Sequence, residues 1–320
     1  MAKYKWQHFL PESYLRAFVD SKRVKIGQHD LWVYRAGEDP KARGPKGVAS
    51  EYELYTTDEI EDPVAIEKML SFIEGGTKPH LGKLRSGDIN LTPQEKSEFA
   101  TYIGVQLIRT PLARDRANAL WIEISKQGFK KVLDEGSLPA IIARYEAETG
   151  EKFPQDMATA ENAVRKVIDG TIRIEQTSKG WTLRHLFELG LAFGDRFEKM
   201  RWALLEAPAS TAFITSDNPV HVADPAAHVQ GPKDFKGSTK MRMSFPLSPQ
   251  FMLYGAFVSG PDERSMLTTA EVRETQDLQI AQAFTEVYAS FESEELKARV
   301  DHILGTRPKL AWPLPPGLLD

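Results

Sequence analysis

The hydrophobic period changes along this 320-residue chain, and the order of its textures limits the folds open to it. Strand-like runs near the start, at residues 23–26 and 31–34, give way between 63 and 200 to apolar positions three and four apart. Strand-like runs return at 201–205, 211–215, 241–245 and 251–257, and helical spacing closes the pattern at 275–288 and 292–304. Strands grouped on either side of a helical block do not alternate with helices as a doubly wound parallel sheet requires. The expectation is an α+β fold, a largely helical middle packed on a mixed or antiparallel β element formed by an N-terminal hairpin and C-terminal strands. One domain over 1–320 should hold it, divided, if at all, into a helical part at about 92–200 and a β-rich part at about 201–290.

Local signals sharpen this outline. Gly27-Gln28-His29-Asp30 reads as the connection of a hairpin from 23–26 to 31–34, and 37–47 as a Gly/Pro/Lys-rich loop. A helix at 63–73 should stop at Gly75-Gly76. Thr92-Pro93-Gln94-Glu95 is the clearest signal in the chain: Thr92 caps, Pro93 suits the first helical position, and Glu95 completes a capping box. That helix should pass Leu107 and end or kink at Pro111. Further helices are expected at 113–133, 138–149, 160–168 and 183–200, and the tail at Trp312-Pro313-Leu314-Pro315-Pro316 reads as packed or extended.

Several functions are closed to the chain. With no cysteine it cannot form disulfides, thiolate nucleophiles or Cys-ligated metal sites. No phosphate loop, dinucleotide fingerprint, HExxH, GxSxG or EF-hand loop occurs. The seven histidines include no pair three or four apart, so a metal site on one helix is unsupported; the cofactor is unknown, and a divalent metal is compatible but called for by no motif. No apolar run reaches membrane-spanning length and no leader-like segment opens the sequence, so no membrane contact is expected and the expected compartment is the cytoplasm. A net charge of −4 gives no global signature of nucleic-acid binding. Residues 1–50 nevertheless carry ten basic and five acidic side chains, whereas 51–75 carry eight acidic residues and only Lys68.

The polar candidates are few. Gln106 and Arg109 lie three apart on the capped helix and emerge on one face. They could fork a phosphate or carboxylate, or make an internal pair between parts of the fold. Ser216-Asp217-Asn218-Pro219 follows a strand-like run, and is either an Asx-type turn or a carboxylate presented as base or metal ligand. His8, between Trp6 and Phe9, is a structural histidine or a proton-transfer group. Glu51, Glu67 and Glu74 are candidate carboxylates, and Trp6 with Tyr52 and Tyr55 the one aromatic set resembling a binding platform.

These positions fall in blocks that resemble a known family. His8-Phe9-Leu10-Pro11 with Tyr14-Leu15-Arg16-Ala17-Phe18 is similar to the opening H-[FY]-[VL]-P-x-x-Y-L-x-x-F of the domain-of-unknown-function family 4238. Leu31-Trp32-Val33-Tyr34, the acidic stretch from Ile66-Glu67 to Ile73-Glu74, Gln106-Leu107-Ile108-Arg109-Thr110-Pro111, Phe213-Ile214-Thr215-Ser216-Asp217-Asn218-Pro219-Val220 and Phe245-Pro246-Leu247-Ser248-Pro249 follow in family order. The resemblance implies that His8, Gln106, Arg109, Asp217 and Asn218 share one polar site; it carries no settled activity. Glu12 departs from the neutral residue usual after the proline and puts a carboxylate near His8.

Two functions from different classes follow. In the first, a phosphoryl-transfer hydrolase, a nuclease acting on RNA or a nucleotide, His8 and Asp217 are catalytic and Gln106, Arg109, Asn218 and Arg16 bind the anion. In the second, a non-catalytic ligand-binding, sensor or interaction module, the same residues form a structural polar network.

Overall fold

The structure, a computed structural model, describes residues 6–57, 59, 61–173, 179–223 and 239–305. The proline-rich tail lies outside them. The chain divides into two compact units, Met1–Arg114 with Leu183–Asp320, and Asp115–Thr182.

In the larger unit β1 (Trp6–His8) pairs antiparallel with β4 (Ser50–Tyr52), His8 opposite Ser50. Between them in sequence lie the short helices α1 (Glu12–Leu15) and α2 (Ser21–Val24), then β2 (Leu31–Tyr34) and β3 (Lys41–Arg43). An antiparallel sheet of order β3-β2-β11-β6 takes in β6 (Thr215–Ser216) and β11 (Val287–Ala289). A five-stranded sheet runs from β10 (Glu263–Met266) through β5 (Arg201–Glu206), β9 (Phe251–Ala256) and β8 (Arg242–Pro246) to β7 (His221–Ala223). Only its β10–β5 pair is parallel. Helices packed against mixed and antiparallel sheets make the fold α+β.

Three local expectations are corrected. Residues 23–26 are not a strand: Asp20 caps a helical turn there, accepting from the Lys22 amide at 2.8 Å, and Val24 and Ile26 are exposed. The hairpin partner of β2 is β3, inside the stretch read as loop. Second, α3 (Ala65–Arg85) continues through Gly75, Gly76 and Pro79. Its buried face, Ile66, Leu70, Leu81 and Leu84, packs on α4 (Pro93–Ile108), and His80–Glu98 and Lys83–Glu95 contacts at 2.7 Å link the two. Tertiary burial outweighs a cost of about 1 kcal/mol per glycine. Third, residues 275–288 are not one helix: α9 (Thr269–Gln282) starts earlier on a Thr268–Glu271 capping box and yields to β11. Strand β10 escaped the sequence reading because all four of its residues are exposed and show no apolar alternation.

The expected capping box of α4 is present, and α5 (Pro111–Asp134) begins at Pro111, so that proline ends one helix and opens the next. On one face of the four-stranded sheet Tyr34, Val287 and Ala289 pack with Ile280, Leu296 and Val300 of α9 and α10 (Glu294–Ile303). Around α4 the rings of Phe99 and Trp202 meet edge-on at 6.2 Å. In the smaller unit α6 (Leu138–Thr149) ends on left-handed Gly150, and α7 (Met157–Ile168) is capped by Asp156.

Helix α8 (Lys179–Glu198) approaches α4 at backbone distance. A Cβ on Gly104 would lie 2.2 Å from the Gly190 carbonyl oxygen and 2.6 Å from the Gly194 nitrogen. Gly104→Ala should therefore lower stability by about 1–3 kcal/mol in urea melts; a variant as stable as the parent would contradict this packing.

Candidate polar site of the shared motifs

The segments bearing the motif residues converge in the larger unit. At the end of β1 the carbonyls of His8 and Phe9 turn toward the last turn of α4. Gln106 Nε2 donates to the Phe9 carbonyl at 2.9 Å, and Arg109 Nη2 donates to that of His8 at 2.5 Å. Spacing of three on a helix aims both at the same strand end. Arg109 also donates from Nε to the Tyr55 hydroxyl at 3.1 Å and from Nη1 to the Glu74 carboxylate at 2.5 Å. Thr110 Oγ1 accepts from the Ala113 amide, capping α5, and donates to Asn218 Oδ1 at 3.2 Å. Tyr14, at the centre of the opening motif, bonds Thr215 Oγ1 and donates to the Pro246 carbonyl, both at 2.7 Å.

Arg109 is 5% exposed. Burial opposes its charge, but the Tyr55 hydroxyl and Glu74 carboxylate outweigh that and hold the guanidinium above its ordinary pKa. The Tyr55 ring lies 5.7 Å from the guanidinium carbon. Tyr55 is thus buried beneath Arg109, while Trp6 and Tyr52 are exposed.

Asp217 is equally enclosed. Its Oδ1 accepts from the Phe284 amide at 2.7 Å, and its Oδ2 from the Thr285 amide at 2.6 Å, the Thr285 hydroxyl at 3.0 Å and the Glu286 amide at 2.9 Å. Burial pushes this carboxyl up to about 6, against the downward pull of those donors. Asn218 donates from Nδ2 to the Gln282 carbonyl at 3.1 Å. Gln279 Nε2 donates to Ser216 Oγ at 2.7 Å and to the Asn218 carbonyl at 3.1 Å. The Ser-Asp-Asn turn therefore fastens the end of α9 and the segment leading into β11.

His8 is half-buried. Burial lowers its pKa, so the ring is neutral near pH 7; it donates to the Lys46 carbonyl, and its buried Nε2 has no hydrogen-bond partner among the described residues. Glu12 lies within electrostatic reach of His8, as the departure from the family pattern implied, but is tied to Arg16 at 2.6 Å. Arg16 is largely exposed and pairs with Glu12, outside the convergent network. Burial raises the pKa of Glu67, which Arg109 pulls back down, and Glu51 pairs with Arg114 at 2.5 Å. No group of three or more His, Asp or Glu among the described residues could hold a metal ion, and no described helix is long and apolar enough to cross a membrane.

A separate cleft of about 320 Å³ opens on the face of the four-stranded sheet opposite α9 and α10. Val33 and Val48 floor it, with Arg35, Lys41, Arg43 and Glu286 on its sides. None of the six motif candidates lines it. The sequence signal that pointed here is the basic excess of residues 1–50, which supplies all three cations.

Fold and network together define an α+β protein whose ordered motifs meet in one buried polar centre. Residues 6–293 match the family model described as Protein of unknown function (DUF4238), and the chain belongs to that family. No curated protein and no solved structure matches it.

Asp217→Asn replaces an acceptor with a donor facing backbone N–H groups. It should cost about 1–3 kcal/mol of stability in chemical denaturation, and an unchanged midpoint would show that the turn is held by other contacts.

Proposed function

We propose that the protein is a non-catalytic ligand-binding module in which the shared polar residues form a structural latch. The observation that carries this reading is the saturation of Arg109: every nitrogen of its guanidinium already donates, to Tyr55, Glu74 and the His8 carbonyl. A guanidinium whose three nitrogens each hold an internal partner, and which is 5% exposed, is aimed into the fold and not toward a phosphate in solvent. Asp217, with four donors on its carboxylate, is likewise occupied as an acceptor and has no opening to substrate.

A second reading, a phosphoryl-transfer hydrolase acting on RNA or a nucleotide, is favoured by one observation. Trp6 and His8 share a face of β1, Trp6 and Tyr52 are 66% and 54% exposed with rings 6.1 Å apart, and His8 Nε2 is unpartnered. Bases could stack on that pair while His8 takes a proton. It would require Arg109, Gln106, Asp217 and Asn218 to exchange internal partners for substrate or metal, leaving Arg16 as the accessible cation.

The latch reading expects Arg109→Ala to lose about 1–3 kcal/mol, because the partly buried Glu74 carboxylate, the buried Tyr55 hydroxyl and the His8 carbonyl lose their donor, and expects RNA, DNA and nucleotides to stay intact with the parent protein, with or without divalent metal. Melts beside those incubations separate the two. A fully stable Arg109→Ala variant, together with cleavage that His8→Ala abolishes, would establish the hydrolase instead.

A further inference from the structure

We propose that the cleft on the four-stranded sheet binds a small zwitterion of the free α-amino-acid class, its carboxylate on Arg43 and its ammonium on Asp39. The proposal rests on the binding-module reading and names the ligand that such a module takes.

The charges in the cleft fall into two groups. Arg35 donates twice to Glu286 Oε1, once from Nε at 2.9 Å, and Tyr288 donates to the other oxygen of the same carboxylate at 2.5 Å. Glu38 takes Lys41 at 2.6 Å and lies 3.7 Å from Arg35. These four make a self-satisfied wall. The side chains of Arg43 and Asp39, both exposed and both lining the cleft, make no ion pair or hydrogen bond with the described residues; Asp39 only sits in the field of Lys297. One unspent cation and one unspent anion beside an apolar floor of Val33 and Val48 are what a zwitterion needs. A guanidinium forks a carboxylate through two parallel N–H bonds, and a carboxylate accepts from an ammonium.

Net charge and size exclude larger anions. The lining holds Arg35, Lys41 and Arg43 against Glu38, Asp39 and Glu286, a balance of zero, so it offers a polyanion no attractive field. Its volume of about 320 Å³ stands at the low end of small-molecule sites, which span roughly 300–1,000 Å³.

The shared motif residues hold the walls in place. Asp217 grips the backbone of Thr285 and Glu286, fixing the side that carries the Glu286 carboxylate. On the other side the His8 ring bonds the Lys46 carbonyl, next to Gly47 and Val48. His8 and Asp217 are positioning residues in this scheme and touch no ligand.

The test is calorimetric titration of the full chain with each standard L-α-amino acid, and with the 2-hydroxy acid and the decarboxylated amine of any that binds. At least one amino acid should bind, and both analogues about tenfold or more weakly, since each lacks one charge-assisted bond. Arg43→Ala and Asp39→Asn should each weaken binding about tenfold or more at an unchanged melting temperature, as neither side chain is paired. Gly47→Val gives an independent steric probe: a Cβ there meets no protein atom within 4 Å and its φ is ordinary, so the variant should fold and bind less. Failure of every amino acid to bind at millimolar concentration, or full binding by Arg43→Ala, would overturn the assignment. Equal binding of the 2-hydroxy acid would overturn it too, in favour of a simple anion site. None of these results would disturb the latch, whose own failure is read from the Arg109→Ala melt and nucleic-acid cleavage.

Discussion

A guanidinium taken out of water has to find partners for its N–H groups, and each nitrogen of Arg109 finds one on a separate stretch of chain. Tyr55 follows the β1–β4 ribbon, Glu74 comes from the middle of α3, and the His8 carbonyl closes β1. Nothing apolar could join these three stretches with the same directional demand. The neighbouring polar groups follow the same logic: Gln106 fixes Phe9, Thr110 reaches Asn218, and Tyr14 spans to Thr215 and Pro246. The family's motifs lie far apart in sequence and close in space because each supplies what another leaves unsatisfied. Such a network costs several kcal/mol when half complete, which ties the residues into a set.

Capping chemistry was the most legible part of the sequence. Thr92 and Glu95 fix the start of α4 through contacts only three residues apart, and Pro111 marks the next helix by the donor it lacks. Continuation of α3 past Gly75 and Gly76 was hidden, since it depends on burial of Leu81 and Leu84 against α4. The segment at 23–26 misled because two apolar residues alternate with Lys and Arg, yet Val24 and Ile26 both face solvent. At the polar centre, sequence singled out Gln106, Arg109, Asp217 and Asn218 as polar groups in need of partners and left their duty open. Whether an arginine is aimed inward or at a ligand depends on Tyr55 and Glu74, and their proximity is a property of the fold.

The Ser-Asp-Asn turn joins the buried centre to the surface. One carboxylate collects the amides of Phe284, Thr285 and Glu286, and this same stretch leads into β11 and presents Glu286 to Arg35. A residue without solvent access thereby sets the geometry of an exposed cleft. Sequence could name Asp217 as polar and turn-forming, but only the pairing of β11 with β2 and β6 reveals which strand it serves.

The direction in which Gln106 and Arg109 point is set by residues with no side chain. A cylinder resting against its neighbour on long side chains can roll as those chains change rotamer. Where Gly104 meets Gly190 and Gly194 the backbones themselves touch, and no rotamer remains to take up a rotation. Each residue of an α-helix advances the azimuth by roughly 100°, so even a small roll of α4 would swing Arg109 off the carbonyl it serves. The three glycines act as a keyway, and the bearing of the buried cation is machined into the contact two residues before Gln106.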